Sequence, residues 1–128
     1  MGVSTNAYLF YGFTFHDVEA GIGEPPQWKR REGDSIDPRW TDWEYHCDAA
    51  TVSRLKDLGI AIHCHRHSEY PAYSICLSGT WMSAYRGHPV VIENLDVPED
   101  ADTGLRLACE LLGIKFEQPK WVLASHWG

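Results

Sequence analysis

Between residues 59 and 92 the chain reads GIAIHCHRHSEYPAYSICLSGTWMSAYRGHPVVI, and each break between its apolar runs carries a glycine or a proline. Short apolar runs punctuated in this way are best met by strands joined through tight turns. Ile60 and Ile62 alternate with Ala61 and His63, the period of two that belongs to a strand. On such a strand His63, His65 and His67 share one face, while Ile60, Ile62, Cys64 and Arg66 share the other. Pro71 cannot donate to a ladder and holds Tyr70 extended, so residues 68–71 are expected to turn. Residues 72–77 form the next expected strand, 80–85 a third and 89–92 a short fourth, in an antiparallel meander.

The flanks extend this plan. Residues 7–15 read as a strand with Leu9, Tyr11, Phe13 and Phe15 on one face and Tyr8, Phe10 and Thr14 on the other. Apolar groups on both faces predict a central strand covered on two sides. Gly12 inside it marks a bulge or a close backbone approach. His16 and Asp17 begin a loop. Residues 48–58 predict a helix with Asp48 as N-cap, a stripe of Ala49, Val52 and Leu55, and Gly59 as the left-handed stop. A second helix ends near Leu112 before Gly113, with Leu105, Ala108, Cys109 and Leu112 on one face. Residues 121–127 form a last strand. The order β, α, β-meander, α, β predicts one α+β domain over residues 1–128, an antiparallel sheet with two helices packed on it. Leu9, Tyr11, Phe13, Ile60, Ile62, Cys76, Leu105, Leu112 and Leu123 are expected in a single core.

Charge and composition narrow the function. The formal charge of −7 disfavours a grip on nucleic acid, which needs a basic stripe. A hydrophobic fraction of 44% is too high for a disordered chain. No apolar run approaches the length of a membrane span, and no apolar signal segment follows Met1. Cys47, Cys64, Cys76 and Cys109 form no CxxC pair, so reduced thiols in a cytosol are expected. Acidic residues gather at Asp34, Asp37, Asp42, Glu44 and Asp48, and again at Glu93, Asp96, Glu99, Asp100 and Asp102. They are solvated loops or an acidic face that docks on a basic partner.

Two candidate sites emerge. The irregular stretch at 20–46 interleaves Trp28, Trp40, Trp43 and Tyr45 with glycines and prolines. Those rings either pin the loop to the body or form a contact surface, together with Tyr70 and Arg86. The other site is His63, His65 and Glu69, two imidazoles two apart on a strand with a carboxylate four residues on. This spacing suits a divalent metal ion and resembles the first metal motif of cupins, although the motif's glycines and its second half are missing. No P-loop, GxGxxG or nucleophile elbow is present, so the reading favours a non-enzymatic protein with no cofactor.

The opening GVSTNAYLFYGF, the central HCHRHSEYPAYSICLSGT, the AYRGHP turn and the ending PKWVLASHWG together resemble a group of small proteins encoded by tailed bacteriophages and prophages. The likeness is spread over most of the chain and departs at 20–46. It implies origin and not activity, and the chain looks like a phage accessory protein of the kind that acts on host or phage machinery. Together with the lack of a catalytic set and the aromatics beside acidic loops, it leads to the expectation of a protein of the bacterial host cytosol that binds a host or phage macromolecule, for example as an inhibitor of a host defence or regulatory protein. It implies no catalytic residues, and it leaves a minor virion component and homo-oligomers open.

Overall fold

A computed structural model describes residues 5–17, 19–23, 49–65 and 72–127. The fold is α+β: a five-stranded antiparallel sheet carrying two helices. In chain order the elements are β1 (Thr5–Asp17), α1 (Ala49–Asp57), β2 (Ile60–His65), β3 (Ala72–Leu77), β4 (Met82–Ala84), α2 (Ala101–Leu112) and β5 (Lys120–Trp127).

The sheet is built around β1. Tyr8 faces Ser83 of β4 and Ala124 of β5, and Gly12 faces Cys76 of β3 and Lys120 of β5. A strand residue has one neighbour on each edge, so β3 and β4 share one edge of β1 and β5 occupies the other. β2 then pairs outside β3, with Ile60 opposite Leu77 and His65 opposite Ala72. The sequence reading placed the third run beside the second; it lies along β1 instead, as an interrupted continuation of β3.

The interruption is a 3-10 turn at Ser78–Thr80. There the ladder lapses, and the N–H of Tyr11 donates to Thr80 Oγ1 at 3.0 Å in place of a backbone carbonyl. The same hydroxyl donates to the Leu77 carbonyl at 2.7 Å, so one buried side chain satisfies both strands across the gap. Ser78 closes the other side: its N–H and its Oγ both donate to the Gly59 carbonyl, at 2.8 and 3.1 Å. This ties the α1–β2 junction to the end of β3.

Both helices lie on one face. Leu55 of α1 and Leu105, Ala108 and Cys109 of α2 pack with Phe13, Ile60, Ile62, Tyr73, Ile75 and Leu77, and with Tyr11, Phe15 and Leu112 at the margin. Gly59 and Gly113 stop the helices in the left-handed region, with φ of 69° at each. A bulge between Thr14 and His16 turns Phe15 and His16 towards Tyr73, which stacks on both rings at 6.1 Å.

The opposite face holds a second cluster. Phe10, Ser74 and Cys76 are buried on it, although no described helix covers it. Strands in a flat sheet lie about 4.8 Å apart, yet β2 and β5, three positions apart, have Cα atoms within 8 Å. The sheet is therefore curled, and with the helices on one face the curl closes towards the other. Gly12 permits this: a Cβ there would sit 1.9 Å from the Ile75 carbonyl oxygen. The close approach expected from the sequence is what the backbone does.

The expected core is therefore split. Cys76 belongs to the curled face, Leu9 is half-buried, and Leu123 is 74% exposed. Leu123 shares its face with Trp121, but the helix-covered core does not extend to its end of the sheet. Burial pushes the Cys76 thiol up to about 12 and the Cys109 thiol to about 11, so both stay protonated and serve as small apolar fillers.

Candidate binding surface

The uncovered end of the sheet is where β4 leaves it. At residues 85–88 the chain turns, with the His88 N–H donating to the Tyr85 carbonyl at 2.9 Å and Gly87 at φ 79°. A fourth strand at 89–92 is expected to run back beside β4. The turn forms but the strand does not. Pro89 has no N–H for the first rung of a hairpin ladder, and the chain passes on as unpaired backbone without helix, turn or bend up to residue 98.

Every residue from 85 to 100 is exposed. Val91 is 84% exposed, and Val90, Ile92, Leu95 and Val97 are all more than 40% exposed. Among the described residues, no hydrogen bond is made by residues 89–97. Val90 and Ile92 lean over a shallow apolar groove whose floor is Leu9, Met82, Ala84 and Leu123. Across β4 lies a more polar groove lined by Asn6, Tyr8, Ser83 and Tyr85. Four carboxylates, Glu93, Asp96, Glu99 and Asp100, are spaced through the strip against one cation, Arg86. Isolated exposed apolar side chains are ordinary on a protein surface, but a continuous strip beside an apolar groove marks a contact site.

The predicted contact residues divide. Arg86 is exposed at the turn that opens the strip. Trp28, Trp40, Trp43, Tyr45 and Tyr70 lie outside the described residues, as do Glu69 of the metal candidate and Asp48, the expected N-cap. His63 and His65 occupy alternate positions of β2, opposite Ser74 and Ala72 of β3. The His63 ring stacks on Trp81 with centroids 3.6 Å apart and planes 21° from parallel. Trp81 in turn lies 4.6 Å from Tyr8 and 5.6 Å from Phe10. Gly12, Ala61 and Cys76 stand in one row across the strands. Their small size leaves the indole room to reach His63. Among the described residues no three His, Cys, Asp or Glu side chains converge as metal ligands. Sequence reasoning missed the exposure of Val91, Leu95 and Val97 and the Trp81 stack. Apolar residues interspersed with acidic ones at 90–97, with no strand or helix period, were the available signal for the strip.

In comparisons with known proteins the chain matches no family model, and no curated protein or solved structure is significantly similar to it. No described helix is long and apolar enough to cross a membrane.

Proposed function

We propose that this is a non-enzymatic binding protein, a phage accessory protein that engages a host or phage macromolecule in the bacterial cytosol, inhibition of a host defence or regulatory protein being one version of that role. The observation that carries the binding part is the exposed apolar strip and groove on an otherwise well-packed body. The phage assignment rests on the sequence resemblance. The aromatic-rich stretch with Trp40 and Trp43 is a second contact region, because tryptophan at a contact centre commonly accounts for more than about 2 kcal/mol on truncation.

The test is in-cell cross-linking of the full chain in infected bacteria, followed by mass spectrometry, with metal analysis of the same purified protein. The expected result is one stoichiometric macromolecular partner. Its capture should survive His63→Ala with His65→Ala and weaken on Trp40→Ala or Trp43→Ala. Capture of no partner would overturn the proposal. Stoichiometric zinc, iron or manganese that is lost in the double histidine variant would instead establish the metal-binding reading of His63, His65 and Glu69.

A further inference from the structure

We infer that residues 89–97 and the groove beside them take an extended peptide segment of a partner protein by strand addition, and that this segment carries both basic and apolar side chains. The inference rests on the binding function proposed above and adds the site, the mode and the chemistry of the partner.

Three independent features of the strip point the same way. Its backbone runs without helix, strand, turn or bend and, among the described residues, makes no hydrogen bond, so it offers donors and acceptors to an incoming strand. Its side chains offer an apolar surface: Val90 and Ile92 continue the groove over Leu9, Met82 and Leu123, while Val91, Leu95 and Val97 stand exposed. Its charge is one-sided: Glu93 and Asp96 lie within it and Glu99 and Asp100 follow it, against Arg86 alone before it. With side chains on alternate faces, Val90, Ile92 and Asp96 would share one face of a paired strip and Val91, Glu93, Leu95 and Val97 the other. An added strand therefore meets apolar side chains and one carboxylate on each face, and lysine or arginine interspersed with valine-like residues complements both.

The same charge argues against other occupants. A second copy would bring Glu93 and Asp96 against the same pair, and like charges juxtaposed in an interface disfavour it. Nucleic acid and anionic lipid are repelled by the same groups.

The experiment uses the full chain and two labelled synthetic peptides, one alternating lysine with valine and one alternating glutamate with valine. Fluorescence anisotropy should show saturable binding of the lysine peptide and at least about tenfold weaker binding of the glutamate peptide, with the difference shrinking as salt is raised. Glu93→Lys with Asp96→Lys should reverse the preference. Amide hydrogen exchange should slow at residues 90–97 when the lysine peptide is bound. Methylating alternate backbone nitrogens of that peptide should cost about tenfold or more in affinity, because strand addition needs those donors.

No saturable binding of the lysine peptide overturns the inference. So does binding without amide protection at 90–97, or binding indifferent to the charge reversal. Concentration-dependent dimerisation abolished by Val91→Asp would overturn it too, by giving the strip to a second copy. If a partner is captured in cells but its cross-links fall away from residues 85–98, the binding function stands and this inference fails. If no partner is captured while the peptide binds as described, the strip is assigned and the cellular function fails.

Discussion

The two ends of β1 are treated oppositely by the rest of the chain. At its C-terminal end Phe13 is sealed under α1 and α2, and Thr14 Oγ1 meets Ser74 Oγ at 2.9 Å on the reverse face. At its N-terminal end Ala7 and Leu9 form the floor of an open groove, and the segment that crosses above them makes no described hydrogen bond. Amino-acid type does not separate the two ends, since valine, isoleucine and leucine occur at both. The helices separate them. α1 and α2 together are 21 residues long and cover only the half of the sheet that holds β2, β3 and the far end of β1. Apolar residues beyond their reach, Leu123 and Val90 among them, stay exposed.

This contrast fails if the sealed end tolerates truncation. Ile75 lies at 0% exposure between Phe13 and Ile62 in the ladder. Ile75→Ala should cost about 2–5 kcal/mol, the range for deleting a fully buried aliphatic side chain. Chemical denaturation, read as a fall in midpoint at constant slope, measures it. An unchanged midpoint would remove the sealed end as the source of stability.

Next in size is the hinge between the two ends. Gly12→Ala places a methyl group against the Ile75 carbonyl and the Cys76 Cα, both backbone atoms that cannot rotate aside. A loss of about 3 kcal/mol is expected, the upper part of the overpacking range. Chemical denaturation measures it, and an unchanged midpoint would mean that the β1–β3 ladder makes room for the methyl group.

Thr80→Val keeps the shape of the side chain but removes the oxygen shared by Tyr11 and Leu77. Leaving those buried groups unpaired should cost about 1–3 kcal/mol. Thr80→Ser should restore most of it. Equal losses in both variants would mean that the methyl group, and not the bridge, holds the β3–β4 gap.

The buried thiols give a pH signature smaller again. Cys76 is raised from 9.0 to about 12 by burial, so above pH 9 the unfolded chain loses a proton that the folded chain keeps. The unfolded state then gains free energy from ionisation, and stability falls as pH rises from 9 towards 12; below 9 the thiol contributes no pH dependence. About 1 kcal/mol of stability should be lost to this group one pH unit above 9. Denaturation midpoints of wild type and Cys76→Ser across that window isolate the effect.

Element type was legible in the sequence because it is written locally. Gly59 and Gly113 mark the helix ends, and the alternation at Ile60 and Ile62 marks the strand. Pairing was not, because the contact that decides it joins Met82 to Leu9, far apart in the chain, and no local pattern favours that partner over β3. Leu123 was assigned to the correct face of β5, but exposure at that point depends on how far the helices extend, a global property. The alternation at His63 marked the strand, but its stack on Trp81 joins β2 to the segment before β4, a long-range contact that no local pattern announces. The strip was visible as apolar residues after a Gly turn, and Pro89 was in plain view. The weight of that one missing N–H against a hairpin only became apparent from the unpaired backbone that follows it.

The smallest expected effect sharpens the contrast most. Val91 is 84% exposed and belongs to no described packing cluster, so the folded chain gains almost nothing from its side chain. Val91→Ser should move stability by less than about 0.5 kcal/mol, as surface substitutions away from special features do. A valine retained in water for no structural return is explicable if a partner covers it, and then the same substitution should weaken partner capture while the denaturation curve stays in place. Ile92→Ser is the control, since Ile92 is only 45% exposed and leans on the groove; it should lose both some stability and some binding. If instead Val91→Ser lowers stability as much as Ile75→Ala does, residues 89–97 are part of the fold, and the open end of β1 is a second sealed end.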